Sequence, residues 1–226
     1  GSASIASITA TALPTLQQLV ATNACQGSNP TIYIDGSNST SLPSATYTVA
    51  YTIGAPFNIS TTTNVTVSGG GGSNTGSNGG RGGSFSPTVS GIGQATVTVT
   101  SITNPTTGCT VSPVANNTDQ FYVSGISTQP SDASVTFNAD ASFTVTPVGT
   151  PTGYQWQIST DNGTTWTNLS SNSQTTGTTY GGRTNATLTL TAPTTALNGY
   201  KYRVNLTYST PTCNYTSNAV TLSVSC

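Results

Sequence analysis

Tyr154-Gln155-Trp156-Gln157 and, further along, Tyr200-Lys201-Tyr202-Arg203-Val204-Asn205-Leu206 alternate large and polar side chains one for one. A period of two sends successive side chains to opposite faces of an extended chain, so each stretch reads as a half-buried antiparallel strand. The same alternation recurs in Ala95-Thr96-Val97-Thr98-Val99-Thr100 and in Ala186-Thr187-Leu188-Thr189-Leu190-Thr191. Turns rich in Pro, Gly and Asn separate such runs every 8–12 residues or so, the spacing of a sandwich or barrel. Pro14 to Ala21 is the one stretch with a helical flavour, and it reads as a single turn or an irregular first strand.

The two opening strands carry a more specific pattern. Immunoglobulin domains bury a Trp on strand C and place a Tyr two residues before the second cysteine on strand F. Trp156 and Tyr202 fit those places, and Val145 and Val204 then occupy the two cysteine positions. An aliphatic pair there fills the core around Trp156 without a crosslink. The halves also echo each other: a strand followed by Thr103-Asn104-Pro105-Thr106-Thr107-Gly108-Cys109 matches one followed by Tyr208-Ser209-Thr210-Pro211-Thr212-Cys213. The expected fold class is therefore all-β, two tandem immunoglobulin-like β-sandwiches with a short N-terminal extension. Residues 1–14 form the extension or a linker strand, 15–124 the first sandwich and 125–226 the second. The glycine-rich stretch 69–83 reads as a long hairpin loop of the first, because it lacks the Gly-Lys-Ser/Thr ending of a phosphate loop.

Composition narrows the function. Only 4% of the 226 residues are charged, with four Lys or Arg, five Asp and no His, against roughly a quarter in an ordinary domain. No basic patch exists to neutralise nucleic acid, so none is expected as a partner. No apolar run reaches the roughly 18 residues of a membrane-spanning helix, and no membrane insertion is expected. Without His there is no Ser-His-Asp or Cys-His pair, and the five aspartates are scattered, so the expectation is no enzyme, no cofactor and no metal.

The run YQWQISTDNGTTW, with TNATLTLTAPTTALNGYKYRV and TSNAVTLSVS after it, resembles the Ig-like repeats of very large Bacteroidota surface proteins, gliding-motility adhesins among them. The segment from CQGSNPTIYI to GQATVTVTSITNPTTGC is similar to a companion repeat of the same proteins. The resemblance spans roughly residues 25–225. It implies a secreted or cell-surface structural or adhesive module, whose partners are neighbouring modules or identical subunits. Such repeats usually carry a cysteine before strand B, near Thr136 here; its absence leaves Cys213 without the implied partner.

Ser159-Thr160-Asp161-Asn162-Gly163-Thr164-Thr165-Trp166 is similar to the Asp-box of sialidase propellers. Physically the box is a turn: Asp161 accepts backbone N–H groups and Gly163 takes a positive φ. One copy does not build a propeller, and a glycosidase needs a carboxylate pair that this chain does not supply. The alternative function is a carbohydrate-binding adhesin module, with glycans as partners, and a groove lined by Tyr180, Trp166 or Tyr215 would favour it.

An even count of four cysteines suggests disulfides and an oxidising compartment. Cys25, ahead of strand B, and Cys109, ahead of the last strand of the first sandwich, are expected to pair. Cys213 and Cys226 flank an alternating strand that would hold them far apart, so they are not expected to pair with each other. The alternation Ile8-Thr9-Ala10-Thr11-Ala12 lies upstream of what the first sandwich needs. It is suited to adding a strand to a neighbour's sheet edge.

Overall fold

The structure, a computed structural model, describes residues 13–36, 41–67, 82–113, 115–170, 174–175 and 177–226. In chain order the strands begin with β1 (Gln18–Ala21), β2 (Ala24–Cys25), β3 (Ile32–Asp35), β4 (Ala45–Ile53), β5 (Ile59–Val67) and β6 (Gly83–Phe85). Next come β7 (Gly93–Thr103), β8 (Thr110–Val111), β9 (Thr118–Thr128), β10 (Ala133–Thr136), β11 (Ala141–Thr144), β12 (Thr146–Val148) and β13 (Gly153–Ser159). The chain ends through β14 (Thr167–Asn168), β15 (Gln174–Thr175), β16 (Thr178–Gly181), β17 (Thr187–Thr191), β18 (Lys201–Ser209), β19 (Thr212–Thr216) and β20 (Val220–Ser225). A 3₁₀ turn, Thr195–Leu197, precedes β18.

Two compact units result. Gly1–Thr22, Asn29–Val89 and Ala95–Phe121 make the first; Asn23–Ser28, Ser90–Gln94 and Tyr122–Cys226 make the second. The passage from one to the other falls inside β9. Two short segments of the first half group with the second unit, which a single boundary near Gly125 does not anticipate. In the second unit Ala24 and Cys25 pair in parallel with Val123 and Ser124 of β9, and a Cβ on Gly125 would strike Ile92.

The first unit sets a sheet of order β1-β3-β6 against one in which β4 lies between β5 and β7. Alternation makes the core: Tyr47, Val49, Tyr51 and Ile53 of β4 are buried, as are Val97 and Val99 of β7. Threonines on the other face tie the strands together, Thr46 to Thr66 at 3.1 Å and Thr48 to Asn64 at 3.2 Å. Pro14 to Ala21 is no helical turn; Gln18–Ala21 is a strand antiparallel to β3. Most of the expected glycine loop lies outside the described residues, but its return shows why glycine is required. A Cβ on Gly83 would come within 2.7 Å of Val65 Cγ1, and one on Gly82 within 2.6 Å of the Ile34 carbonyl oxygen.

The second unit sets β10-β20-β18-β13-β14 against β11-β17-β16-β15, with β19 turned back onto β18. β10 runs parallel to β20, while β18 runs antiparallel to both β13 and β20. On β18 Tyr202, Val204, Leu206 and Tyr208 are buried, so Lys201, Arg203 and Asn205 face away from the core. The chain is a tandem of two immunoglobulin-like β-sandwiches.

One cysteine expectation is corrected. Cys25 is bonded to Cys213, not to Cys109, across a sequence separation of 188 and a Cα–Cα distance of 5.9 Å. Cys109 ends a tight loop in the first unit, where the Asn104 N–H donates to its carbonyl at 2.9 Å, and it is a free thiol, as is the exposed Cys226. The physical reason is local: Cys25 sits on β2 in the second unit, beside Cys213, and so cannot cross the first sandwich.

Candidate functional site

The core of the second unit is built around Trp156. Its side chain is fully buried, directly opposite Val204 in the β13–β18 register. Val145 and Val204 belong to the same buried cluster. The indole N–H donates to the Asn185 carbonyl at 2.9 Å, so its one polar group is satisfied. Phe143 links the rings, 6.4 Å from Trp156 and 5.0 Å from Tyr202 between centroids. The Tyr202 hydroxyl meets that of Tyr180 at 3.2 Å. Burial, with the Tyr180 ring beside it, pushes the Tyr202 phenol well above its ordinary value.

The turn after β13 is organised by Asp161. Its Oδ1 accepts from the Ser159 hydroxyl at 2.7 Å and the Thr165 N–H at 2.8 Å; its Oδ2 accepts from the Thr165 hydroxyl at 2.5 Å. Gly163 has φ +92° and donates its N–H to Ser159 Oγ at 2.8 Å. These donors favour the charged carboxylate, led by the Thr165 hydroxyl, and hold its pKa down at about 2 from 3.8. Both carboxylate oxygens are committed to the turn, which leaves them unsuited to acid–base chemistry at neutral pH.

The same turn lays a ring against the outer face of the sheet. The Trp166 indole N–H donates to the Gly163 carbonyl at 3.1 Å, and the Arg203 guanidinium lies 4.2 Å from the ring centroid. Across β14, β13 and β18 runs a hydrogen-bonded row: Arg203 Nε donates to Gln157 Oε1 at 2.7 Å, and Gln157 Nε2 donates to Asn168 Oδ1 at 2.8 Å. Lys201 lies two residues before Arg203 on that face, and a Cβ on Gly163 would sit 3.7 Å from its stem.

The three aromatics expected of a sugar groove do not converge. Tyr180 is buried in the core. Tyr215 lies by the disulfide, where its hydroxyl takes the Gln26 N–H at 2.9 Å and meets Ser124 Oγ at 2.9 Å. Only Trp166 stands on the outer face. Alternation along β18 points Lys201 and Arg203 outward, but the stack on Trp166 depends on how the turn folds back, which no local pattern encodes. Among the described residues no three Cys or Asp side chains form a metal cluster, and no helix is long and apolar enough to cross a membrane.

No family model matches the chain, and no curated protein sequence matches it. Solved structures similar to it include a chimeric titin Z1Z2–Z1Z2 tandem functionalised with a GRGDS peptide from fibronectin, 16% identical over 95% of this chain and 100% of that one, TM-score 0.32. Another is the N-terminal Ig1-2 module of the Drosophila receptor protein tyrosine phosphatase DLAR, 14% identical over 93% and 97%, TM-score 0.36. A third is the titin M3 domain, 14% identical over 46% of this chain and 97% of that one, TM-score 0.33. At these values the fold rests on the strand order and registers described above.

Proposed function

We propose that this chain is a non-enzymatic, load-bearing and adhesive segment of an extracellular bacterial filament or cell-surface stalk. The observation that carries the reading is the Cys25–Cys213 bond. Tension applied through the flanking chain enters near Cys25, crosses the bond and leaves near Cys213. The residues between them, a separation of 188, are taken out of the load path. An unfolded residue extends by about 3.5 Å, so the bond withholds roughly 650 Å of slack. A strut needs such a limit; a catalyst gains nothing from it.

Three further features support the reading. Disulfides persist in oxidising compartments, which fits a secreted or surface location. The resemblance to Bacteroidota adhesin repeats points to tandem neighbours or identical subunits as partners. In the first unit β5 is a nine-residue strand without charge or proline, paired along β4, and an uncharged edge of this kind templates strand addition. The N-terminal alternation that would supply the strand lies outside the described residues.

Single-molecule pulling from the two ends tests the load path. The oxidised chain should show no event releasing the residues between Cys25 and Cys213. Reduction should add roughly 650 Å of contour length. Full extension without reductant would overturn the reading.

A further inference from the structure

A chain with four cations among 226 residues places two of them, Lys201 and Arg203, on the same face of one strand. On that face the side-chain donors outnumber the acceptors that pair with them. The Gln157 and Asn168 side-chain oxygens each already accept a hydrogen bond within the row. The Asp161 oxygens are held in their turn. What remains are donors: the two terminal nitrogens of Arg203, the Lys201 ammonium and the Asn168 amide, none with an acceptor among the described residues. Guanidinium and ammonium groups left this way fit an anion with oxygen acceptors.

We propose that this face of the second unit binds an acidic saccharide, one that carries carboxylate or sulfate groups. The anionic group is taken by Arg203 and Lys201. Exposed Asn162, Thr164 and Asn168 around them offer amides and hydroxyls to sugar hydroxyls. A peptide would call for side-chain recesses or a long free strand edge; here the edge strand β14 has only two residues. Stacking against Trp166 fixes the Arg203 side chain before the ligand arrives and so lowers the ordering cost of binding. Packing against the ring accounts for one cation but not for Lys201, whose charge has no role in the fold described above. The site rests on the adhesive part of the function proposed above and is independent of the load-bearing part, which the pulling experiment tests separately.

The test uses the full chain as analyte over immobilised polygalacturonate, heparin and neutral dextran at low salt. The formal net charge is −1, so retention by bulk cation exchange is not available to the whole molecule. Binding to polygalacturonate, heparin or both is expected, with none to dextran and with loss as salt rises. Polygalacturonate alone would assign a carboxylate, and heparin alone a sulfate. Lys201→Gln with Arg203→Gln should weaken binding by about tenfold or more. Lys201→Gln by itself, a change on the outer face of β18, should weaken it by about threefold. Arg183→Gln, an equal charge change in the turn between β16 and β17 of the opposite sheet, should leave binding unchanged. Absence of binding to both acidic polymers, equal binding to dextran, or an equal loss with Arg183→Gln would each overturn the proposal.

Discussion

Replacing Trp156 with Ala removes the largest fully buried side chain of the second unit. An aromatic residue of this kind buries on the order of 150–250 Å², which at about 25 cal/mol per Å² is roughly 4–6 kcal/mol of gross transfer energy. Ala keeps the Cβ, and partial collapse around Phe143 and Tyr202 recovers some contact. Loss of the indole also removes the hydrogen bond to the Asn185 carbonyl. The expected net cost is about 3–5 kcal/mol. Trp156→Phe, which keeps a ring and loses the N–H, should cost about 2 kcal/mol. The chain's two tryptophans are Trp156 and Trp166, and both lie in the second unit, so Trp166 fluorescence follows that unit's unfolding in either variant. With a urea slope of about 1.5 kcal/mol per molar, the midpoint should fall by roughly 2–3 M for Ala and about 1 M for Phe. A loss below about 1 kcal/mol for Trp156→Ala would refute the placement of the indole at the centre of the core.

Two further outcomes follow from the cysteines and the turn. Non-reducing peptide mapping should recover a fragment joining Cys25 to Cys213, and the folded, unreduced chain should alkylate at Cys109 and Cys226; a Cys25–Cys109 fragment would refute the pairing. Because the Asp161 pKa is lowered on folding, from 3.8 to about 2, its contribution is fully present above about pH 4 and is lost as pH falls toward 2. The Thr165 amide resonance, followed by NMR, should therefore titrate with a midpoint near pH 2 in the folded chain, and a midpoint near 4 would show that the turn does not hold the carboxylate.

Strand content and facing were legible because they are local. The alternation in β4, β7, β17 and β18 puts Val, Leu and Tyr on one side and mainly Thr, or in β18 Lys201, Arg203 and Asn205, on the other, and the structure buries the first set. The Asp161 turn was legible for the same reason, since all its partners lie within four residues. What stayed hidden was non-local. That residues 23–28 join the second unit depends on β2 meeting β9 about a hundred residues later, and no periodicity reports which strand a loop will meet. The sequence's two-residue rhythm likewise places Arg203 outside the sheet without saying that a turn carries Trp166 over to it.

The cysteine pairing shows how local and non-local information conflict. An immunoglobulin core crosslink joins the two facing strands, and here those positions hold Val145 and Val204, with Trp156 filling the space between the sheets. That core is complete without a bond. A disulfide between positions 145 and 204 would withhold roughly 200 Å of extended chain, about a third of what the Cys25–Cys213 bond withholds. Moving the crosslink to Cys25 and Cys213 closes a loop of 188 residues instead. Chain entropy puts the resulting stabilisation at about 5 kcal/mol as an upper figure. The mechanical effect is larger than the thermodynamic one, because a covalent bond holds after the non-covalent core has given way. The bond thus joins Cys213, a member of that core cluster, to Cys25 packed against it, away from the Val145 and Val204 positions of the usual crosslink, and this placement is what the proposed load-bearing role draws on.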